Sequence, residues 1–211
     1  MAPEVVLLGD SIFDNGAYVG GGPDVGQQVE ERLPPDWGVT PLAVDGNVTS
    51  DVHTQLERLP SSATHLVIST GGNDALNLMD LLGQSAHSFS QVLSTLGEVA
   101  AQFRATYHGL LLEVLSRQLP TVICTIYYPA FDDPDLQRVS SAGLTFFNDV
   151  ILLEAIQNQV PVLDLRSIFT EKHHYANPIE PSESGGAKLA DSIRRLVLEH
   201  DFSEPTCQIY V

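Results

Sequence analysis

Ser11 and Asn73 are positions at which this chain could carry out chemistry on a carbonyl group. Ser11 sits in the turn Leu8-Gly9-Asp10-Ser11-Ile12-Phe13-Asp14-Asn15-Gly16, directly after the apolar run Val5-Val6-Leu7-Leu8. A hydroxyl placed where a short strand runs out is where an α/β protein presents a nucleophile. A second turn, Ser69-Thr70-Gly71-Gly72-Asn73-Asp74, follows His65-Leu66-Val67-Ile68 and places a side-chain amide at another strand end. The pair points to acyl transfer. Attack on an ester carbonyl concentrates negative charge on one oxygen, and removing a single preorganised donor to that oxygen typically costs about 10²- to 10³-fold in rate. Taken alone, Ser11 would equally serve as the N-cap of a following helix, a common role for serine.

The elements that must position these residues are legible as five apolar runs: Glu4 to Leu8, Val39 to Val44, His65 to Ser69, Thr121 to Tyr127 and Val160 to Leu163. Their hydrophobicity is continuous rather than alternating, as in strands covered on both faces. The segments around Val25 to Leu33, Asp51 to Leu59, Phe89 to Gln118, Gln137 to Gln157 and Gly185 to Glu199 carry apolar residues at helical intervals. Alternating strands and helices predict a parallel sheet. Ser182 leads into the last helix through Gly185-Gly186. Gly97 and Gly109 each cost about 1 kcal/mol in a helix interior, so Phe89 to Gln118 is expected to bend or divide. In a parallel sheet the strands' carboxyl ends share one edge, where open α/β folds bind ligands. Ser11, Gly46, Asn73 and Glu180 all follow strands and fall on that edge.

The 211 residues suit one domain spanning 1–211, with 43% apolar and 18% charged residues. A formal charge of -17 repels nucleic-acid backbones and anionic membrane surfaces, so neither is an expected partner. No stretch reaches the ~20 uncharged apolar residues of a transmembrane helix, and membrane insertion is not expected. The N-terminal residues show no secretory pattern, and Cys124 and Cys207 read as free thiols, so the expected location is cytoplasmic.

Three ordered blocks carry a resemblance to the SGNH (GDSL) hydrolase superfamily of esterases and lipases. They are Gly9-Asp10-Ser11 with Asp14 and Gly16, Gly46-Asn47 after Ala43-Val44-Asp45, and Gly71-Gly72-Asn73-Asp74. The resemblance implies an α/β fold, a flavodoxin-like three-layer α/β/α sandwich with a five-stranded parallel sheet. It implies Ser11 as nucleophile, with the Ser11 and Gly46 amides and the Asn73 side chain as oxyanion donors. Glycine at 46 permits close backbone approach, and asparagine at 73 supplies the NH₂ that aspartate lacks.

The last block departs from the family pattern. Where the family has Asp-x-x-His, this chain reads Asn177-Pro178-Ile179-Glu180, followed by Pro181. Three readings follow. Glu180, with an ordinary pKa about two units below that of histidine, serves as base if burial raises it. Alternatively His173 or His174 folds back to Ser11, or the site has lost hydrolysis and the protein is a binding or regulatory module. His173 and His174 also read as two exposed loop residues. Asp10 reads as a turn-former or substrate contact, and Asn177 as a substrate contact. Tyr127 and Tyr128 either line the cleft or pack the top of the sheet. The expected partner is a small-molecule ester, with no cofactor and no metal. The acyl group, the alcohol and the oligomeric state stay open.

Overall fold

The computed structural model describes residues 2–211. In chain order its main elements are β1 (Glu4–Gly9), α1 (Val25–Arg32), β2 (Gly38–Pro41), α2 (Val52–Leu56), β3 (His65–Ser69), α3 (Gly72–Leu76), α4 (Phe89–Ser116), β4 (Thr121–Cys124), α5 (Pro134–Asn158), β5 (Val162–Leu163), α6 (Leu165–Ile168), α7 (Glu183–Glu199) and β6 (Ile209–Tyr210). The strands form one parallel sheet in the order β2-β1-β3-β4-β5-β6. The sheet therefore has six strands, not the five expected. β6 is two residues long, with Ile209 half exposed, and so short a run offers no hydrophobic period to recognise.

The pleat sends alternate residues to opposite faces, and both faces are covered. Val6, Leu8, Leu66, Ile68 and Ile123 meet α2, α4 and α5. Val5, Leu7, Val67, Val122 and Cys124 meet α1, α6 and α7. The result is a three-layer α/β/α sandwich, and the two buried faces explain why the strands read as unbroken apolar runs. β2 ends at Pro41, short of Val44, because proline brings no N–H to the ladder. Leu42 and Ala43 instead both donate to the Leu7 carbonyl.

α4 is unbroken over 28 residues despite Gly97 and Gly109, both of which lie on its exposed side. Packing of Phe103, Tyr107, Leu110, Leu111 and Val114 into the core outweighs the two glycine penalties. Glu154 of α5, fully buried, accepts from Arg104 Nε at 2.8 Å and His108 Nδ1 at 2.7 Å of α4. Burial alone would raise this carboxyl, but the two bonds hold it below its ordinary range. By length and composition α5 is apolar enough to cross a membrane. In this fold, Leu144, Phe147, Val150 and Ile151 turn that apolar character into the core.

Strand order reverses at β1, which lies between β2 and β3, and the crevice above that point is where such sheets bind ligands. β1 and β3 approach there through Gly9, whose φ is +135° and whose missing Cβ would lie 1.7 Å from the Ser69 carbonyl oxygen. Gly9→Ala would strain the left-handed backbone and drive a methyl into a neighbouring main chain. It is expected to cost about 3 kcal/mol or more, measured by urea denaturation; a loss under about 1 kcal/mol would mean the two strands can part freely.

Candidate active site

Ser11 lies in the tight turn after β1, where Phe13 and Asp14 N–H both return to the Asp10 carbonyl. Ile12 and Phe13 plug into the core beneath it. The residue is buried, and its Oγ donates to Glu180 Oε1 at 3.1 Å. The second Glu180 oxygen is buried and makes no hydrogen bond among the described residues. Residues 169 positions apart in the chain thus share one hydrogen bond.

The loop that delivers Glu180 is pinned at several points. Asn177 Oδ1 accepts from the Ile179 and Glu180 amides, each at 3.0 Å. Ala176 N–H donates to the Glu180 carbonyl at 2.9 Å, and Tyr175 pairs with Pro181. The Tyr127 hydroxyl donates to the Ile179 carbonyl, while its ring stacks on Phe169 at 4.5 Å. Asn15, fully buried, donates to the Pro181 carbonyl at 3.3 Å and accepts from Val25 N–H at 2.9 Å, tying the loop to the start of α1.

The blocks after β1, β2 and β3 are joined by side chains. Gln55 of α2 accepts from the Gly9 amide and donates to the Gly9 carbonyl, both at 2.8 Å, and reaches Asn47 Oδ1 at 2.9 Å. Asn73 Nδ2 donates to the Asn47 carbonyl at 2.9 Å, which orients its amide and leaves the second hydrogen free. Asp74 accepts from both the amide and the hydroxyl of Thr49 at 2.9 Å. Asp14 accepts from the Asp45 amide at 2.9 Å. Gly46 adopts φ +81° with open space around it, so conformation rather than crowding requires glycine there. The N–H groups of Ser11 and Gly46 have no hydrogen-bond partner among the described residues.

Of the residues singled out from the sequence, Ser11, Asp10, Asn73, Glu180 and Tyr127 line a common cavity. Asn177 does not line it; the residue is exposed and braces the loop backbone. Tyr128 does not line it either: it packs against the core, and its carbonyl accepts from the Tyr175 hydroxyl at 2.7 Å. His173 and His174 do not reach Ser11. His173 lies on the outer surface beside Arg32 and Glu183. His174 is buried by the start of α7, where its carbonyl accepts from Ser182 N–H at 2.9 Å and its Nδ1 from Glu171 N–H at 3.1 Å. Burial, with Lys188 and His173 nearby, lowers its pKa. Sequence reasoning missed Gln55 and Asn15, since a lone amide in a helix or turn has no pattern of its own. No group of three or more His, Cys, Asp or Glu among the described residues is arranged to hold a metal ion.

The site is strongly acidic. Burial raises Glu180 to about 7, against the lowering effect of the Ser11 bond and with a further push from Asp45. Burial likewise raises Asp10 to about 7, opposed by the Ile12 amide and reinforced by Glu180, Asp74 and Asp45. A carboxyl raised to this range matches the ordinary basicity of imidazole.

A family model for the GDSL-like lipase/acylhydrolase family matches residues 7–187, and the chain belongs to that family. Membership places it among the acyl ester hydrolases. No curated protein sequence matches the chain. Among solved structures it is similar to an acetyl xylan esterase named AlAXEase, at 17% identity over 92% of this chain and 99% of the other, with a TM-score of 0.71. It is similar to the lipase Lip_vut3 from a goat rumen metagenome at 19% identity over 97% and 100%, with a TM-score of 0.72. It is also similar to the acetylxylan esterase Axe2 from Geobacillus stearothermophilus at 19% identity over 94% of each chain, with a TM-score of 0.62. At these identities the likeness establishes the fold.

A raised carboxyl has a signature in stability. In the unfolded chain Glu180 ionises near its ordinary 4.5 and in the folded chain near 7. Between these values the folded state binds more protons, so this contribution to stability falls as pH rises through the window and stays lost above it. Glu180→Gln is therefore expected to be about 3 kcal/mol more stable than wild type at pH 8 and equal to it near pH 4. Urea denaturation at both values checks this, and equal stability at pH 8 would mean Glu180 ionises without penalty.

Proposed function

We propose that this protein hydrolyses an uncharged carboxylic ester, with Ser11 as nucleophile and Glu180 as the base. The observation that carries the reading is the 3.1 Å hydrogen bond from Ser11 Oγ to a buried carboxyl raised to about 7. A group that titrates near the working pH has both the ionised population and the basicity that general-base catalysis needs.

Glu180 accepts the Ser11 proton as Oγ bonds to the acyl carbon. The carbonyl oxygen becomes an oxyanion served by the free N–H groups of Ser11 and Gly46 and by the Asn73 amide. The bond to the alcohol oxygen then breaks, and the alcohol leaves with the proton that Glu180 returns. Water repeats the sequence on the acyl-serine: Glu180 takes its proton, the acid departs, and the proton goes back to Ser11.

A carboxylate base differs from imidazole in one useful respect. It becomes neutral on taking the proton, so it needs no acidic residue behind it to stabilise a cation. This is consistent with Asn177, rather than an aspartate, three residues earlier. The neighbouring Asp45 carboxyl favours the protonated form of Glu180 and so strengthens the base, and Asp45 and Asp74 push Asp10 the same way. The same charges oppose an anionic ester.

Hydrolysis of p-nitrophenyl butyrate is expected to fall by about 10³-fold or more in Ser11→Ala. In the wild type, log kcat/KM is expected to rise with pH and level off above about 7, and Glu180→Gln is expected to lose both the rate and this dependence. Equal rates in wild type and Ser11→Ala would remove Ser11 from the chemistry. Ester-dependent thermal stabilisation without turnover at any pH would favour a binding module instead.

A further inference from the structure

The cavity beside Ser11 and Glu180 has a volume of about 150 Å³. Its polar side chains Asp10, Ser11, Asn73 and Glu180 belong to the candidate site, and the Tyr127 hydroxyl is already committed to the Ile179 carbonyl. Its other walls are apolar, among them Leu76, Met79, Leu96, Val99, Phe131 and Phe147. They come from four parts of the fold: α3 and the turn after it, α4, the loop after β4, and α5. The one further hydroxyl, Ser140 Oγ, is buried without a partner. A sugar ring enclosed here would leave most of its hydroxyls unpaired, each at substantial cost, whereas an alkyl chain would find matching walls.

We infer that this chamber takes the acyl chain of the ester, and that the substrates are medium-chain esters rather than acetates. The inference rests on the reading of Ser11 as nucleophile. A volume of about 150 Å³ is enough for a benzene-sized guest, which sets a scale of about six carbons. The acyl group is the better occupant because it stays bound to the serine through the second half of the reaction, while the alcohol must leave. An acetyl group would leave the apolar walls without a partner. Gly143 of α5 lies on the chamber wall, and a Cβ built there meets nothing within 4 Å. A larger side chain at this position would enter the chamber's space.

The test is kcat/KM for p-nitrophenyl acetate, butyrate, hexanoate and dodecanoate, beside the alkyl acetates of matching length. Each buried methylene is worth about fourfold in binding, so hexanoate, four methylenes longer, is expected to exceed acetate by up to about 250-fold, with no further gain at dodecanoate. Gly143→Leu, checked for retained Tm, is expected to shift the preferred length to butyrate or below. A profile that is flat or best on acetate overturns the chamber while leaving the serine esterase standing. A preference that follows the alkyl acetates instead assigns the chamber to the alcohol and overturns it equally. Absence of all ester hydrolysis defeats the nucleophile. A separate measurement then judges the chamber: methyl hexanoate must raise the Tm of Ser11→Ala more than methyl acetate does, and an equal effect overturns the proposal.

Discussion

The Gln55 amide holds the candidate site together. It satisfies both the N–H and the C=O of Gly9 at the last position of β1 and reaches on to Asn47, whose carbonyl in turn orients Asn73. Three loops from three strand ends are thereby tied together by four hydrogen bonds. Buried backbone groups at a strand end must be paired, and the partner chosen here also fixes the Asn47 loop that orients the Asn73 amide. Asn148 of α5 repeats the device at Ile126, just beyond β4, accepting at 2.7 Å and donating at 2.8 Å. Both clamps lie on the edge where ligands of this fold bind, one on the strand that leads into Ser11 and the other behind the chamber wall.

Against this rigid frame the acidic residues create an opposite tendency. Asp10 and Glu180 stand on either side of the Ser11 turn, and both are pushed up to about 7 because burial denies their charged forms water, with Asp45 adding to each. Such a group costs stability wherever it is ionised, and the surrounding packing must supply the difference. The loop carrying Glu180 is accordingly over-determined, with Asn15, Tyr127 and Asn177 each holding a different point of its backbone. Asn177 is instructive. It stands where the family pattern has an aspartate, yet in this chain its side chain serves the loop's own amides. The carboxylate at 180 thus owes its position to main-chain bonds rather than to a third side chain behind it.

Much of this was legible in the linear chain because the signals were local. Unbroken apolar runs with amphipathic segments between them specify a parallel sheet covered on both faces, and the boundaries of β3 and α4 followed closely from that pattern. Gly-Asp-Ser and Gly-Gly-Asn-Asp announced strand ends for the same reason, since tight turns demand small and short polar residues. What escaped notice was either too short or solitary. β6 has two residues, and α3 and α6 are single turns with no period to count. Gln55 and Asn15 are ordinary amides until a partner is brought to them from elsewhere in the chain.

By itself, the amino-acid order determined the sandwich, the family, and the placing of a serine after β1 and an asparagine after β3, since hydrophobic period and turn composition act within a few residues. Only the tertiary structure shows which of Glu180, His173 and His174 lies beside Ser11, because that depends on how a loop far along the chain folds over β1. It put the carboxylate 3.1 Å from the hydroxyl and turned the two histidines away. It also decided how basic that carboxylate is, since burial is a property of the assembled fold rather than of any residue in it.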